Sequence, residues 1–257
     1  MKKIMILSAL LIVSLATPVW AAPKADFALP AEALEIAPGL YNLGSKYDSK
    51  IDAFVEGYAI VHKKVSAKGG SAKAPRGRTC SAVLASGAKW KSVEPWEVFA
   101  GAGLTDTFVL DRLTHSINTW ESAAVNNNIL GAGSLSVGSA SDPYTLDNRN
   151  QVSFGNLDNG TIAVTVVWGV FSGPIPNRVL VEWDQVYNTE YGWSESGEAG
   201  KMDFWNIAIH ELGHSMGLAD IYNTGCAEVT MYGYGDFGET KKQTLESADI
   251  SGINLLY

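Results

Sequence analysis

Two histidines four residues apart, His210 and His214, bracket a glutamate, Glu211, in the segment His210-Glu211-Leu212-Gly213-His214-Ser215-Met216-Gly217-Leu218-Ala219-Asp220. On a helix, positions four apart differ by about 40° in direction and roughly 6 Å in height, so both imidazoles can face one cation. Glu211 shares that turn and can reach a water on the cation without ligating the cation itself. Two ligands and an adjacent base are the parts that metal-assisted hydrolysis needs. A catalytic zinc takes three protein ligands and keeps one position open. The chain has only four histidines: His62, His115, His210 and His214. His62 precedes a linker-like stretch. His115 falls inside a long predicted helix, where an ordinary surface or half-buried side chain is the plainer reading. Asp220 offers a carboxylate six residues after His214. Gly217 lies between them and can end the helix at positive φ, turning the chain back toward the metal. The expected metal set is therefore His210, His214 and Asp220. The alternative is a chance His-Glu-His helix on the surface.

These residues must be held by a helix from about Asp203, a plausible N-cap, to about Gly217. Other elements are legible around it. Leu104, Phe108, Leu113, Ile117, Trp120 and Ala124 recur at helical spacing, which predicts an amphipathic helix over 104–125. Segments 51–62, 93–100, 151–155, 161–170 and 178–188 carry strand-like content. Residues 126–150, rich in Asn, Gly, Ser and Asp, predict an extended loop, and a last helix is expected from Thr244 or Leu245 to the end. Small, basic and Gly/Pro-bearing residues fill 66–79, a linker composition open to nicking. A domain boundary is expected there.

With 257 residues, 46% hydrophobic and 18% charged, the chain is long and apolar enough to bury a core. A net charge of −8 makes nucleic acid a poor partner. Lys2 and Lys3 precede an apolar run from Ile4 to Ala16, too short to span a bilayer comfortably. A secretory signal over 1–21 is expected, with the chain exported and no stable membrane insertion afterwards; an uncleaved anchor is the alternative. In an exported chain the two cysteines, Cys80 and Cys226, suggest one disulfide.

The segment from His210 to Asp220 resembles the metzincin signature H-E-x-x-H-x-x-G-x-x-H, with Asp in place of the last His. Thr230-Met231-Tyr232 matches the Met-turn of that group in kind and order. Leu245-Glu246-Ser247-Ala248-Asp249-Ile250-Ser251-Gly252-Ile253 resembles the last helix of the matrixin branch, and Ala85-Ser86-Gly87-Ala88-Lys89-Trp90 resembles its domain start. Asp as third ligand is similar to the snapalysin-like metzincins. The resemblance covers 80–257 and implies an α+β fold: a mixed twisted sheet, a long packing helix, the active-site helix, the Met-turn and a C-terminal helix. Residues 22–79 are then an N-terminal region and linker, a candidate pro-segment.

The resemblance also implies a monomeric zinc metalloendopeptidase acting on protein or peptide substrates. Glu211 would serve as general base to a zinc-activated water and Met231 would pack below the metal. A secreted zinc-binding module without proteolytic activity is the alternative. Pro75-Arg76-Gly77-Arg78-Thr79-Cys80 echoes the matrixin cysteine switch out of order, so Cys80 has two readings: a disulfide with Cys226, or a thiolate on the zinc of a latent form. Tyr232 or Tyr234 could hydrogen-bond near the site. Val179–Tyr187 is the expected edge for pairing an extended peptide. Asp142, Asp147, Asp158 and Asn159 are candidates for a Ca2+ site, with solvated loop carboxylates as the alternative.

Overall fold

The computed structural model describes residues 27–65, 79–126 and 128–257. The expected signal segment and nearly all of the expected linker lie outside those residues. In chain order the elements are Leu34–Ala37 (β1), Leu40–Asp48 (β2), Ala53–Lys64 (β3), Trp96–Val98 (β4), Asp106–Ala123 (α1), Gly133–Leu135 (β5) and Asn150–Gly155 (β6). They continue with Thr161–Val170 (β7), Val179–Asn188 (β8), Trp193–Ser194 (β9), Met202–Asp203 (β10), Phe204–Ser215 (α2), Tyr234–Gly235 (β11) and Ser247–Ile253 (α3).

One mixed sheet runs β1-β2-β3-β7-β8-β6-β4-β5, with β11 added on β3. The β5, β4, β6 and β8 strands are mutually parallel, and β7 turns antiparallel against β8. Among the described residues the fold is α+β, a mixed sheet with three α-helices, as the metzincin resemblance implies. Among the described residues no helix is long and apolar enough to cross a membrane.

The β7 strand, TIAVTVVWGV, is buried along nearly its whole length. Such continuous burial needs both faces of the sheet covered, and it is. Ile162, Ala163 and Val167 join the core under the helices, while Val164, Val166 and Trp168 join a second core on the opposite face. The helix α1 is capped by Thr105, whose side chain accepts from Phe108 N. It buries Val109, Leu113, Ile117 and Trp120. Trp120 Nε1 also donates to Ile209 O at 2.8 Å, which fixes α1 against α2.

Two expectations change. The boundary expected at 66–79 falls between stretches that share one sheet, because β3 pairs with β7 from Glu56 to Lys63. Ile60 enters one core, and Val55, Ala59 and Val61 enter the other. The segment Val179–Tyr187 is not an edge: it belongs to β8, enclosed between β6 and β7. Its polar residues Glu182 and Asp184 imitate the outward positions of an exposed strand, yet they are 0% and 2% exposed.

Those two carboxyls give a testable stability effect. Backbone N–H groups of Asp147 and Asn148 donate to Glu182 Oε2, and Gln151 N donates to Asp184 Oδ1. Burial pushes Glu182 up to about 8 and Asp184 well above the ordinary carboxylate range. A carboxyl protonated in the fold but ionised when unfolded weakens the fold as pH rises from its unfolded pKa to its folded one. Glu182→Gln should therefore melt higher than the parent at pH 8, with the gain vanishing near pH 4. Each kcal/mol recovered moves Tm by about 2–4 °C in a domain of this size. Equal melting at both pH values contradicts the assignment.

Cys80 and Cys226 are joined as a disulfide, with Cα atoms 5.5 Å apart and a sequence separation of 146. Cys80 is thus not a free thiolate available to a metal. The bridge ties the start of the second described stretch to the segment between Asp220 and Met231. Replacing both cysteines with serine should cost about 2–5 kcal/mol, read by denaturant unfolding. An unchanged midpoint contradicts a structural role.

Candidate metal centre

The helix α2 is capped by Asp203, whose Oδ1 accepts from Asn206 N at 2.8 Å. It ends where Gly217 takes φ +98°, a conformation that carries Leu218 N onto Gly213 O. His210 and His214 project from one face. His210 Nδ1–H donates to Thr230 O at 2.7 Å and His214 Nδ1–H donates to Leu218 O at 3.0 Å. Both Nε2 lone pairs are thereby aimed inward.

The chain beyond Gly217 brings Asp220 beneath them. His210 Nε2 and His214 Nε2 lie 3.1 Å apart, and Asp220 Oδ1 is 3.2 and 3.4 Å from them. Three ligands about 2.0–2.1 Å from a tetrahedral zinc sit about 3.3 Å from one another. The observed triangle fits that size. Its chemistry fits as well, since with both Nδ1 protons committed elsewhere the three atoms are all acceptors. Asp220 Oδ1 has no hydrogen-bond partner although it is buried. Buried acceptors without donors are costly, and a cation at their centre removes the cost. Asp220 Oδ2 accepts from Tyr222 OH at 2.9 Å. Tyr222 is therefore the tyrosine that touches the ligand set, and Tyr232 and Tyr234 are not.

Met231 lies under α2. A Cβ placed on Gly213 would come within 2.3 Å of Met231 Sδ, so Gly213 lets the helix and the turn approach. The turn is held by the C-terminal helix: Asp249 on α3 accepts from Thr230 N at 2.8 Å and Met231 N at 3.1 Å. His115 is exposed against Trp205 and takes no part.

Glu211 is fully buried, and both of its oxygens are engaged. Thr165 Oγ1 on β7 donates to Oε2 at 2.6 Å, and His62 Nδ1–H on β3 donates to Oε1 at 2.9 Å. Lys242 Nζ donates to Tyr232 O and Tyr234 O and lies 3.3 Å from His62 Nε2. Burial pushes the Glu211 carboxyl up to about 7 and pulls the Lys242 ammonium down to about 8. The sequence pattern gave no sign of Thr165, Lys242 or the reach of His62.

Among the described residues, two groups of metal-ligating side chains converge: His210, His214 and Asp220, and His62, His210 and Glu211. The second already contains the His62 proton and is satisfied without a cation. The calcium candidates do not converge. Asp142 caps its own turn through Tyr144 N, Asp147 accepts from Arg149 N and Gln151 Nε2, and Asp158 O accepts from Thr161 N.

The matrixin family model, peptidase M10, matches residues 140–257, which hold the whole triangle, Glu211 and Met231. Over those residues the chain is similar to the matrixin branch of the metzincins. A matrixin domain implies a zinc metallopeptidase, and this domain holds the zinc-sized triangle described above. Among solved structures, metalloproteinase-II from Bacteroides fragilis is 13% identical with a TM-score of 0.33. That match covers 66% of this chain and 53% of the other, so the chain spans about half of that protein. No curated protein matches the sequence.

Proposed function

We propose that the protein is an exported zinc metalloendopeptidase in which His210, His214 and Asp220 hold the metal and Glu211 is the general base. The observation that carries this reading is the triangle of three buried acceptors, 3.1 to 3.4 Å on a side, beside a buried carboxyl. Zinc bound there supplies a Lewis acid that polarises a carbonyl and acidifies water.

The chain's own groups do the rest. Thr230 O and Leu218 O fix the two imidazole tautomers. Thr165 holds Glu211 Oε2 and His62 holds Oε1; the carboxyl would take the proton of the attacking water through Oε1, in exchange for the His62 bond, and return it to the leaving amine. Met231 fills the space below α2 and takes no proton.

Export is supported by Lys2, Lys3 and the apolar run to Ala16, together with the disulfide. The substrates are proteins or peptides, and the protein acts as a monomer. The test is the zinc content of the purified protein and its hydrolysis of casein, before and after limited proteolysis, with and without a chelator. One zinc per chain and chelator-sensitive cleavage are expected. Stoichiometric zinc with no cleavage in either form would favour a zinc-binding module instead.

A further inference from the structure

Asp220 is the one ligand of the three that no helix carries. Its neighbours are tied, Ala219 N donating to Ala82 O at 3.0 Å and Ile221 N to Met231 O at 2.8 Å. Its side chain still has two torsions to fix. Main-chain carbonyls orient the two histidines, whereas a side chain, the Tyr222 hydroxyl, orients Asp220. That hydroxyl donates to Oδ2 and leaves Oδ1 toward the histidines. Whatever fixes Tyr222 therefore fixes the ligand.

Two glycines from distant parts of the chain close on Tyr222. Gly39 stands at the tip of the β1–β2 hairpin, after Pro38, at φ +71°. Glu35 Oε1 closes that tip by accepting from Gly39 N at 3.1 Å, and Val61 N ties it to β3 by donating to Gly39 O at 2.8 Å. A Cβ on Gly39 would stand 2.5 Å from the Tyr222 hydroxyl oxygen. On the other side of the ring, Gly233 follows the turn that carries Met231. A Cβ there would come within 2.5 and 2.7 Å of Tyr222 Cε1 and Cζ, and 3.0 Å of Asp220 Cγ. Positive φ alone asks for glycine at 39, as in other Pro-Gly turns. Gly233 has no positive φ, so at that position the close approach is what requires it. A cavity of about 160 Å³ opens beside the pair, with Pro38, Leu40, Ile60 and Leu84 in its wall together with Asp220 and Tyr222. Without the two glycine contacts the ring has room to swing that way and take its hydroxyl off Oδ2.

We infer that Gly39 and Gly233 are positioning residues of the metal centre, clamping Tyr222 so that its hydroxyl presents Asp220 to zinc. The β1–β2 hairpin thereby sets the affinity of a site whose ligands all lie on or after α2. This rests on the zinc centre proposed above. Neither glycine touches the metal; both act through Tyr222.

The test is a double-mutant cycle on zinc affinity in the intact chain, read by competition against a chromogenic chelator. Gly39→Ala should weaken zinc binding by about 10–100-fold, as losses among the partners of a ligand do. In the Tyr222→Phe background the same change should cost no more than about twofold further, because the atom it strikes has gone. Gly233→Ala should weaken binding in both backgrounds, since the ring carbons and Asp220 Cγ remain. Backbone strain at φ +71° persists with or without the hydroxyl, so strain alone gives equal losses in the two backgrounds. Should Gly39→Ala not fold, Glu35→Ala frees the hairpin tip without adding an atom. It should weaken binding by up to about tenfold, and only where Tyr222 keeps its hydroxyl. Parental affinity in Gly39→Ala, or in Glu35→Ala where that variant replaces it, overturns the inference and leaves the zinc centre standing. So do equal losses with and without the Tyr222 hydroxyl. A parent chain that takes up no zinc overturns both.

Discussion

Glu211→Gln is expected to leave zinc bound and to lower peptide hydrolysis by about 10²- to 10⁴-fold, the usual contribution of a positioned general base. The substitution is nearly isosteric. Its amide can still bond Thr165 or His62, so the walls of the site should stand. What it loses is the capacity to take a proton from water and return it to the leaving amine. The loss should fall on kcat, because no substrate-binding group is removed. Casein hydrolysis, alongside zinc content, reads both halves of the expectation. Activity within tenfold of the parent would remove Glu211 from the mechanism.

Asp220→Ala is expected to weaken zinc binding by well over about 100-fold, since loss of outer partners alone typically costs 10–100-fold. The carboxylate supplies the single negative charge among the three acceptors. Without it two imidazoles 3.1 Å apart remain, one fewer than the three protein ligands a catalytic zinc takes. Tyr222→Phe provides a graded control. It removes only the bond to Asp220 Oδ2 and should cost about 10–100-fold in zinc affinity. Competition against a chromogenic chelator measures all three proteins. Parental affinity in Asp220→Ala would show that another group is the third ligand.

The metal helix was legible because its information is local. The spacing of His210 and His214, the cap at Asp203 and the stop at Gly217 all lie within fifteen residues, and helix geometry converts them into direction. The return of Asp220 toward that helix and of Met231 beneath it was legible through their order along the chain. What sequence could not give were contacts closed across the sheet. His62 meets Glu211 149 residues away and Lys242 180 residues away. No local period encodes which strand lies beside which, so β3 read as part of a separate N-terminal region and β8 as an edge. The error at β8 has a clear physical source. The alternation of Val181, Glu182, Trp183 and Asp184 is that of a half-exposed strand, but the loop at Asp147–Gln151 folds over the polar side and supplies its hydrogen bonds. Gly213 was equally silent, because its need for no Cβ arises only when Met231 approaches from another element.

The most direct measurement is anomalous scattering at the zinc absorption edge from crystals of the zinc-loaded full-length chain. A single peak about 2.0–2.1 Å from His210 Nε2, His214 Nε2 and Asp220 Oδ1 is the expected result. A peak centred on His62 and Glu211, or none within the triangle, would contradict the zinc centre and the hydrolytic function built on it.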